Sequence, residues 1–505
     1  MHVQRIAITL FFLLGFMNMN AQEKETFQQF NERRQNRFNK FKEQKQKEFE
    51  EFRRKRNEEF AKYMRKDWER IDPSPIVPRP KEDPIPPVVT PIHEERPIDT
   101  TPKPLPYDEV ILVPEPEPQP KPVEPIEELP VQPTDPPVSN IQFVFWGTEE
   151  KVRFNKKDRI HLSSVNENSI ADAWIQLSKE AYTNMIFDCL QIRKNRQLCD
   201  WAYLKMLEQL SETIYGKGAN EAVLLMAYIY CQSGYKMRLS TDGAKLYMMF
   251  ASNHIIYNWN YYQIDGVNYY VFNNTKGNVR ICTQEYPQEK AMSLAIPKEQ
   301  KLDFTAATGT THTSKRNTDI SITINANKNM LEFYNSYPTS MYGNNFVTRW
   351  AQYANMPMPN YLTQNIYPKL RKAIAGLSQL EAVNRILNWI QTGFEYEYDD
   401  KVWGHDRAFF PEESLFYPYC DCEDRSILLT RIIRDLLGLK CILIYYPGHL
   451  AAAVELTEGQ GRGDYIECNG HKYFITDATI IGYGAPVGQT MNGMDNHTAK
   501  IILLE

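Results

Sequence analysis

Between residues 27 and 63 the large apolar positions are Phe27, Phe30, Phe38, Phe41, Phe49, Phe52, Phe60 and Tyr63, on a background of Lys, Arg, Glu and Gln. The steps between them alternate between three and eight, an eleven-residue period. That corresponds to ~3.67 residues per turn, so the rings stay on one face of a long helix with a right-handed drift. Residues 22–71 contain no Pro or Gly, and we read them as one charged amphipathic helix. Its narrow Phe27–Tyr63 stripe suits docking, either by self-association in a right-handed coiled coil or on a partner. A membrane surface is the other reading, and the mixed charges on the polar face weigh against it.

Beyond residue 71 the pattern breaks. Residues 72–140 hold 22 of the 32 prolines, including PEPEPQPKP. Such a chain lacks ladder donors and favours polyproline II, so it reads as a semi-rigid spacer. From residue 141 the pattern is globular. Helical periodicity covers about 168–235, followed by alternating strand patterns such as YYQIDGVNYYVF, where Asp265-Gly266 signals a hairpin. DISITINANKNMLEFY is a second strand-rich stretch, LRKAIAGLSQLEAVNRILNWIQ and CEDRSILLTRIIRDLLG are helical, and the C-terminal part is strand-rich. The fold class expected is α+β. The expected organisation is an export signal at 1–21, the helix at 22–71, the spacer at 72–140, a domain at 141–290, a β-rich connector at 291–340 and a second domain at 341–505.

Composition changes this picture in three ways. A net charge of -5 over 505 residues gives no basic surface for nucleic acid, which is excluded as a partner. Arg5 followed by IAITLFFLLGF and Ala21 reads as a cleavable export signal, too short to span a membrane. The expected location is therefore periplasmic or secreted. Eight cysteines are too few for a disulfide scaffold, although an exported chain permits pairing, and Cys189 with Cys199 is the nearest candidate pair.

The candidate chemistry lies in YPYCDCEDRSILLTRIIRDLLGLKC. Cys422 opens a helix whose apolar face is Leu428, Ile432, Ile433 and Leu436. A helix N-terminus and a neighbouring imidazolium lower a thiol's pKa. Downstream, YYPGHLAAAVEL places His449 at the start of a strand and HKYFITDAT places Asp477 at the end of another. In that order a thiol nucleophile, an imidazole base and an orienting carboxylate are available. Cys420 and Cys422 with His449 as metal ligands is a weak reading, since structural zinc sites use two spaced pairs. Cys422 as a structural cysteine also remains open. Gln391 is a candidate oxyanion donor, and Trp403 and His405 are candidates for lining a substrate cleft. No metal or cofactor is expected.

These residues resemble the transglutaminase-like superfamily. Cys422-Glu-Asp424 with Leu428, Arg434 and Gly438 resembles its nucleophile helix, GHLAAAVEL its histidine strand, and FITDAT its aspartate strand, with Ala478 where Pro is usual. FFPEESLFYPYCDCEDRS with YYPGHLAAAV is similar to exported transglutaminase-like proteins of Bacteroidetes, over most of 141–505. The resemblance implies a papain-like core, a Cys422–His449–Asp477 triad and acyl transfer from an amide. It also favours Cys422 over Cys420, because Asp424 stands two residues on.

The same frame occurs once more. Shifted by 204 residues, Gly234 falls on Gly438, Ile229 on Ile433, Gly266 on Gly470 and Tyr269 on Tyr473, with 11 of 58 positions identical over 218–275. A gapless register is what an internal repeat predicts. At the triad positions this copy has Gly218, Lys245 and Asn273, so it is expected to be a degenerate transglutaminase-like domain. The function expected is an exported cysteine hydrolase acting on peptide or isopeptide amides of a protein or peptide substrate. The alternatives are a protein-glutamine gamma-glutamyltransferase that cross-links, and a non-catalytic protein-binding adaptor.

Overall fold

A computed structural model describes residues 27–66, 68–91, 101–128, 140–274 and 279–504. The expected export signal lies outside the described residues. The fold is mixed α+β. Helix α1 (Phe27–Met64) is continuous, but the chain divides into two compact units, 1–55 and 56–505. In the first unit Phe27, Phe30, Phe38, Phe41 and Phe52 are exposed. In the second, the end of α1 carries Phe60, Ala61 and Met64, which are buried, as is Trp68. The Phe60 ring packs 5.2 Å from that of Trp174 and 5.4 Å from that of Tyr286. The helix end is thus part of the globular core.

The unit 56–505 contains two helix-and-sheet layers built alike. In the first, α2 (Asp200–Tyr215) and α3 (Asn220–Gln232) precede β1 (Met237–Thr241), β2 (Leu246–Ala251), β3 (Tyr261–Ile264), β4 (Val267–Val271) and β5 (Arg280–Cys282). Their order across the sheet is β5-β1-β2-β4-β3. In the second, α4 (Gln379–Gly393) leads through the short β6 (Glu395–Tyr396) and β7 (Tyr419–Cys420) to α5 (Cys422–Leu437). There follow β8 (Cys441–Tyr446), β9 (His449–Glu455), β10 (Asp464–Cys468), β11 (His471–Thr476), the short β12 (Ile481–Gly482) and β13 (Lys500–Leu503). Their order is β10-β11-β9-β8-β13, the mirror listing of the same arrangement.

The registers agree as well. Met237 pairs with Phe250 as Cys441 pairs with Val454. Tyr261 pairs with Tyr270 as Tyr465 pairs with Phe474. The Tyr269–Ala251 pair has its counterpart in Tyr473–Glu455. Each pair maps onto the other by the 204-residue shift seen in the sequence. Because a one-residue slip would turn every side chain to the other face, three matching registers in matching order are a repeat of structure, not only of spacing. The turn residues match too: Asp265-Gly266 and Asn469-Gly470 both take positive φ.

Alternation along β8 sends Ile442, Ile444 and Tyr446 to one side of the sheet and Cys441, Leu443 and Tyr445 to the other, and all six are buried. The second set joins the main core under α5. The first set packs with Leu105, Tyr107 and Val110 of the proline-rich stretch. That stretch is therefore not a free-standing spacer in its described residues. Lys103–Leu105 pairs with β10, Glu109–Ile111 with β13 and Val89–Thr90 with β12, all in parallel. Prolines are tolerated because each such strand lies at a sheet edge. Within the expected connector the structure has a hairpin, Ala306–Thr313 with Ser321–Asn327, and a helix, Lys328–Ser336.

Candidate active site

The start of α5 is set by a reciprocal cap. Asp421 accepts from the Glu423 N–H at 3.1 Å, and the Asp424 carboxylate accepts from the Asp421 N–H at 3.3 Å. Cys422 is therefore the first helical residue, at the positive end of the helix dipole. Leu428, Leu429, Ile432 and Ile433 are buried further along the helix, and Gly438 closes it at φ 65°. One turn after Cys422, Ser426 Oγ donates to Leu450 O at 2.9 Å. This bond ties α5 to the start of β9, whose opening residue is His449.

His449 faces Tyr446 across the β8–β9 hairpin. Its Nε2 is 3.0 Å from Asp477 Oδ2, and both side chains are buried. Asp477 Oδ1 accepts from the Thr479 N–H at 2.9 Å and from the Thr479 hydroxyl. Burial alone would raise the Asp477 carboxyl, but the His449 charge, its hydrogen bond and the two Thr479 donors outweigh it and hold the group below the usual carboxylate range. The other ring nitrogen, His449 Nδ1, is buried without a hydrogen-bond partner. The carboxylate thus fixes the ring and leaves Nδ1 unpartnered.

Cys422 departs from the expectation of a thiol whose pKa is lowered by its helix N-terminus and a neighbouring imidazole. It is 7% exposed. Burial first, and then the Asp421 and Glu423 carboxylates, push the thiol well above its usual range; the Leu450 backbone N–H acts in the opposite direction. The helix dipole is outweighed by burial first and then by the acidic residues around the helix start. All eight cysteines are buried free thiols, so Cys189 and Cys199 are not bonded to each other, nor is Cys420 to Cys422.

Gln391, the candidate oxyanion donor, is close to the site with its side-chain amide engaged by backbone groups. Its Nε2 donates to Asp477 O at 2.7 Å and Ala485 O at 3.0 Å, and its Oε1 accepts from the Ala485 N–H at 3.1 Å. It fixes the Asp477 loop from inside. Trp403 is half-buried against Tyr417 at 4.9 Å and Phe409 at 5.6 Å, with the Arg407 guanidinium 4.6 Å from its ring. His405 is exposed, with Nδ1 3.0 Å from Trp403 O.

Two residues escaped the sequence reading. Arg425 is fully buried, with donors to Phe394 O at 2.9 Å, Gln391 O at 3.3 Å and Ala478 O at 3.4 Å. One guanidinium thereby joins α5, the end of α4 and the residue after Asp477. Its ring neighbour is Tyr396, 5.2 Å away. The Tyr396 hydroxyl is buried without a partner; burial first, and then the charges of Cys422 and Asp421, raise its pKa. The hydroxyl is thus an unspent donor that senses the charge of Cys422. An Arg three residues beyond a cysteine that opens a helix was the available signal for the first residue. The FEYEY run was only a weak signal for the second.

Beside the site Asp399, Asp406 and Glu423 bring carboxylate oxygens within 4.8 Å of one another. Arg349 supplies the positive charge among them, 2.6 Å from Asp406 and 3.4 Å from Glu423. In the first layer Gly218, Lys245 and Asn273 stand 204 residues before Cys422, His449 and Asp477. Gly218 has no side chain, Lys245 is exposed, and Asn273 Nδ2 donates to Glu208 Oε1 at 2.7 Å.

No family model matches the chain, and neither a curated protein nor a solved structure matches it.

Proposed function

We propose that this chain is a cysteine hydrolase of transglutaminase-like type acting on peptide or isopeptide amides. The observation that carries the reading is the His449–Asp477 pair, with its free Nδ1, held against the first turn of the Cys422 helix. In this reading the Cys422 sulfur attacks an amide carbonyl while His449 Nδ1 takes the thiol proton. The Tyr396 hydroxyl donates to the resulting oxyanion. Collapse expels the amine, which receives the proton from His449, and leaves a thioester on Cys422. Water, deprotonated by the same nitrogen, then releases the acid.

The thiol is buried and its pKa raised, which favours as a second reading a resting or non-catalytic adaptor state. A thiol-reactive probe separates the two. Iodoacetamide labelling of Cys422 that falls at least about tenfold in His449→Ala supports the hydrolase, since a thiolate reacts and a thiol does not. Labelling that is slow and indifferent to His449 supports the adaptor. Cross-linking in place of hydrolysis differs only in the acceptor, and release of acid against transfer to added amine distinguishes them. The repeated layer reads as a degenerate transglutaminase-like domain, and its inert positions leave it a binding role.

A further inference from the structure

Residues 79–90 pass a neighbour of each reacting residue in turn. Arg79 donates to Thr339 Oγ1 at 2.8 Å and lies 3.7 Å from Asp406, which Arg349 joins to Glu423, next to Cys422. Glu82 then accepts from the Tyr445 hydroxyl and, at 3.2 Å, from the N–H of Gly448, the residue before His449. The Ile85 N–H donates to Gly448 O at 2.9 Å. Next, Val88 O accepts from the Ile481 N–H at 2.9 Å, just past Asp477. Thr90 Oγ1 accepts from the N–H groups of Tyr483 and Gly484, at 3.0 Å each, and donates to Ile481 O at 2.8 Å.

Only Pro86 and Pro87 separate the Ile85 tie from the Val88 tie. Three residue steps span at most about 11 Å, so the walls carrying His449 and Asp477 are bridged by one extended chain. Both walls are shaped for main chain to pass. A Cβ on Gly448 would lie 2.4 Å from Asp83 O and one on Gly482 2.2 Å from Thr90 O, and both glycines have positive φ. Apart from the Glu82 and Thr90 contacts, recognition is through backbone N–H and C=O groups, which suits any extended polypeptide. Pro84, Pro86 and Pro87 hold this occupant in an extended shape at low entropic cost.

We propose that Gly448 and residues 481–484 form a track for an extended polypeptide substrate, and that the chain's own residues 82–90 occupy it as an internal inhibitor. The proposal rests on the reading of Cys422, His449 and Asp477 as a reacting site. A tethered strap competes at millimolar effective concentration, so a substrate in solution enters only after the strap leaves.

The test uses the full-length mature chain. Labelling of Cys422 by fluorescein maleimide, with Cys422→Ala as blank, is compared among wild type, Ile85→Pro/Thr90→Ala, and the milder Glu82→Ala, which alters only an exposed side chain. A synthetic peptide of residues 79–91 is titrated by anisotropy into the double variant and into the same protein carrying Cys422→Ala. The double variant is expected to label about tenfold faster and Glu82→Ala about threefold faster. The peptide should bind both proteins and restore slow Cys422 labelling in the double variant. Unchanged labelling in both strap variants, or a peptide that does not bind, overturns the track. Peptide binding with His449-independent labelling supports the track and removes the catalytic reading. His449-dependent labelling at full rate in wild type, without peptide binding, does the reverse.

Discussion

Asp477→Asn tests the carboxylate with the least change of shape. The Asn carbonyl can still accept from the Thr479 N–H and hydroxyl, which now meet Oδ1. Its amide nitrogen then faces His449 Nε2 and donates to it. That bond forces the ring hydrogen onto Nδ1, the nitrogen that must accept the thiol proton. The charge term is lost as well: at 3.0 Å and an effective dielectric of 20, an imidazolium–carboxylate pair is bounded at about 5.5 kcal/mol. At ~1.4 kcal/mol per decade of rate, the expected loss is roughly 10³–10⁴-fold, comparable with triad aspartates elsewhere. The assay is the His449-dependent rate of Cys422 alkylation, followed by kcat/KM once a substrate is found. Thr479→Val, which removes one Asp477 donor and keeps the charge, should cost about tenfold or less. An Asp477→Asn protein that melts normally and reacts within threefold of wild type refutes the role given to the carboxylate.

Three further outcomes follow from the same geometry. Tyr396→Phe should leave thiol alkylation unchanged while lowering kcat about 10–100-fold at constant KM; an equal fall in alkylation would make the hydroxyl a structural group instead. The fully buried Glu412 carboxyl is pushed up to about 7 by burial, against hydrogen bonds from Tyr361, Asn327 and Tyr334. The folded state therefore favours its protonated form: its contribution is full below the unfolded value of about 4.3 and is lost as pH rises through about 7. Urea unfolding should show stability falling across that window, and Glu412→Gln should flatten the slope; an unchanged slope contradicts the assignment. Truncation to 56–505 should leave the melting temperature of the globular unit within a few degrees. Truncation to 141–505 removes Phe60, Met64, Trp68, Leu105 and Ile111 from buried positions, on the order of 10 kcal/mol of burial at ~2 kcal/mol each. The shorter fragment should unfold or aggregate, and a cooperative melt equal to that of 56–505 would show that the belt is dispensable.

The sequence by itself determined what is local or periodic. The eleven-residue aromatic period marked a helix that the structure carries through Phe27–Met64. The apolar positions Leu428, Ile432, Ile433 and Leu436 placed Cys422 at a helix start, and Asp265-Gly266 marked a hairpin, because helical periodicity and turns depend on neighbours a few residues apart. The 204-residue repeat was legible because it preserves spacing, and pairing register is a function of spacing. Three things only the tertiary structure decided. The electrostatics of Cys422 depend on burial and on Glu423, drawn into a charge cluster by Arg349 and Asp406 from distant segments. Gln391 and Arg425 acquired positioning roles because their partners are backbone carbonyls, which carry no sequence signature. The proline-rich stretch has the composition of a spacer, yet it lies along sheet edges and across the His449 and Asp477 walls. Composition reports that such a chain makes no ladder of its own. Whether it borrows one depends on which edges the folded sheets leave open.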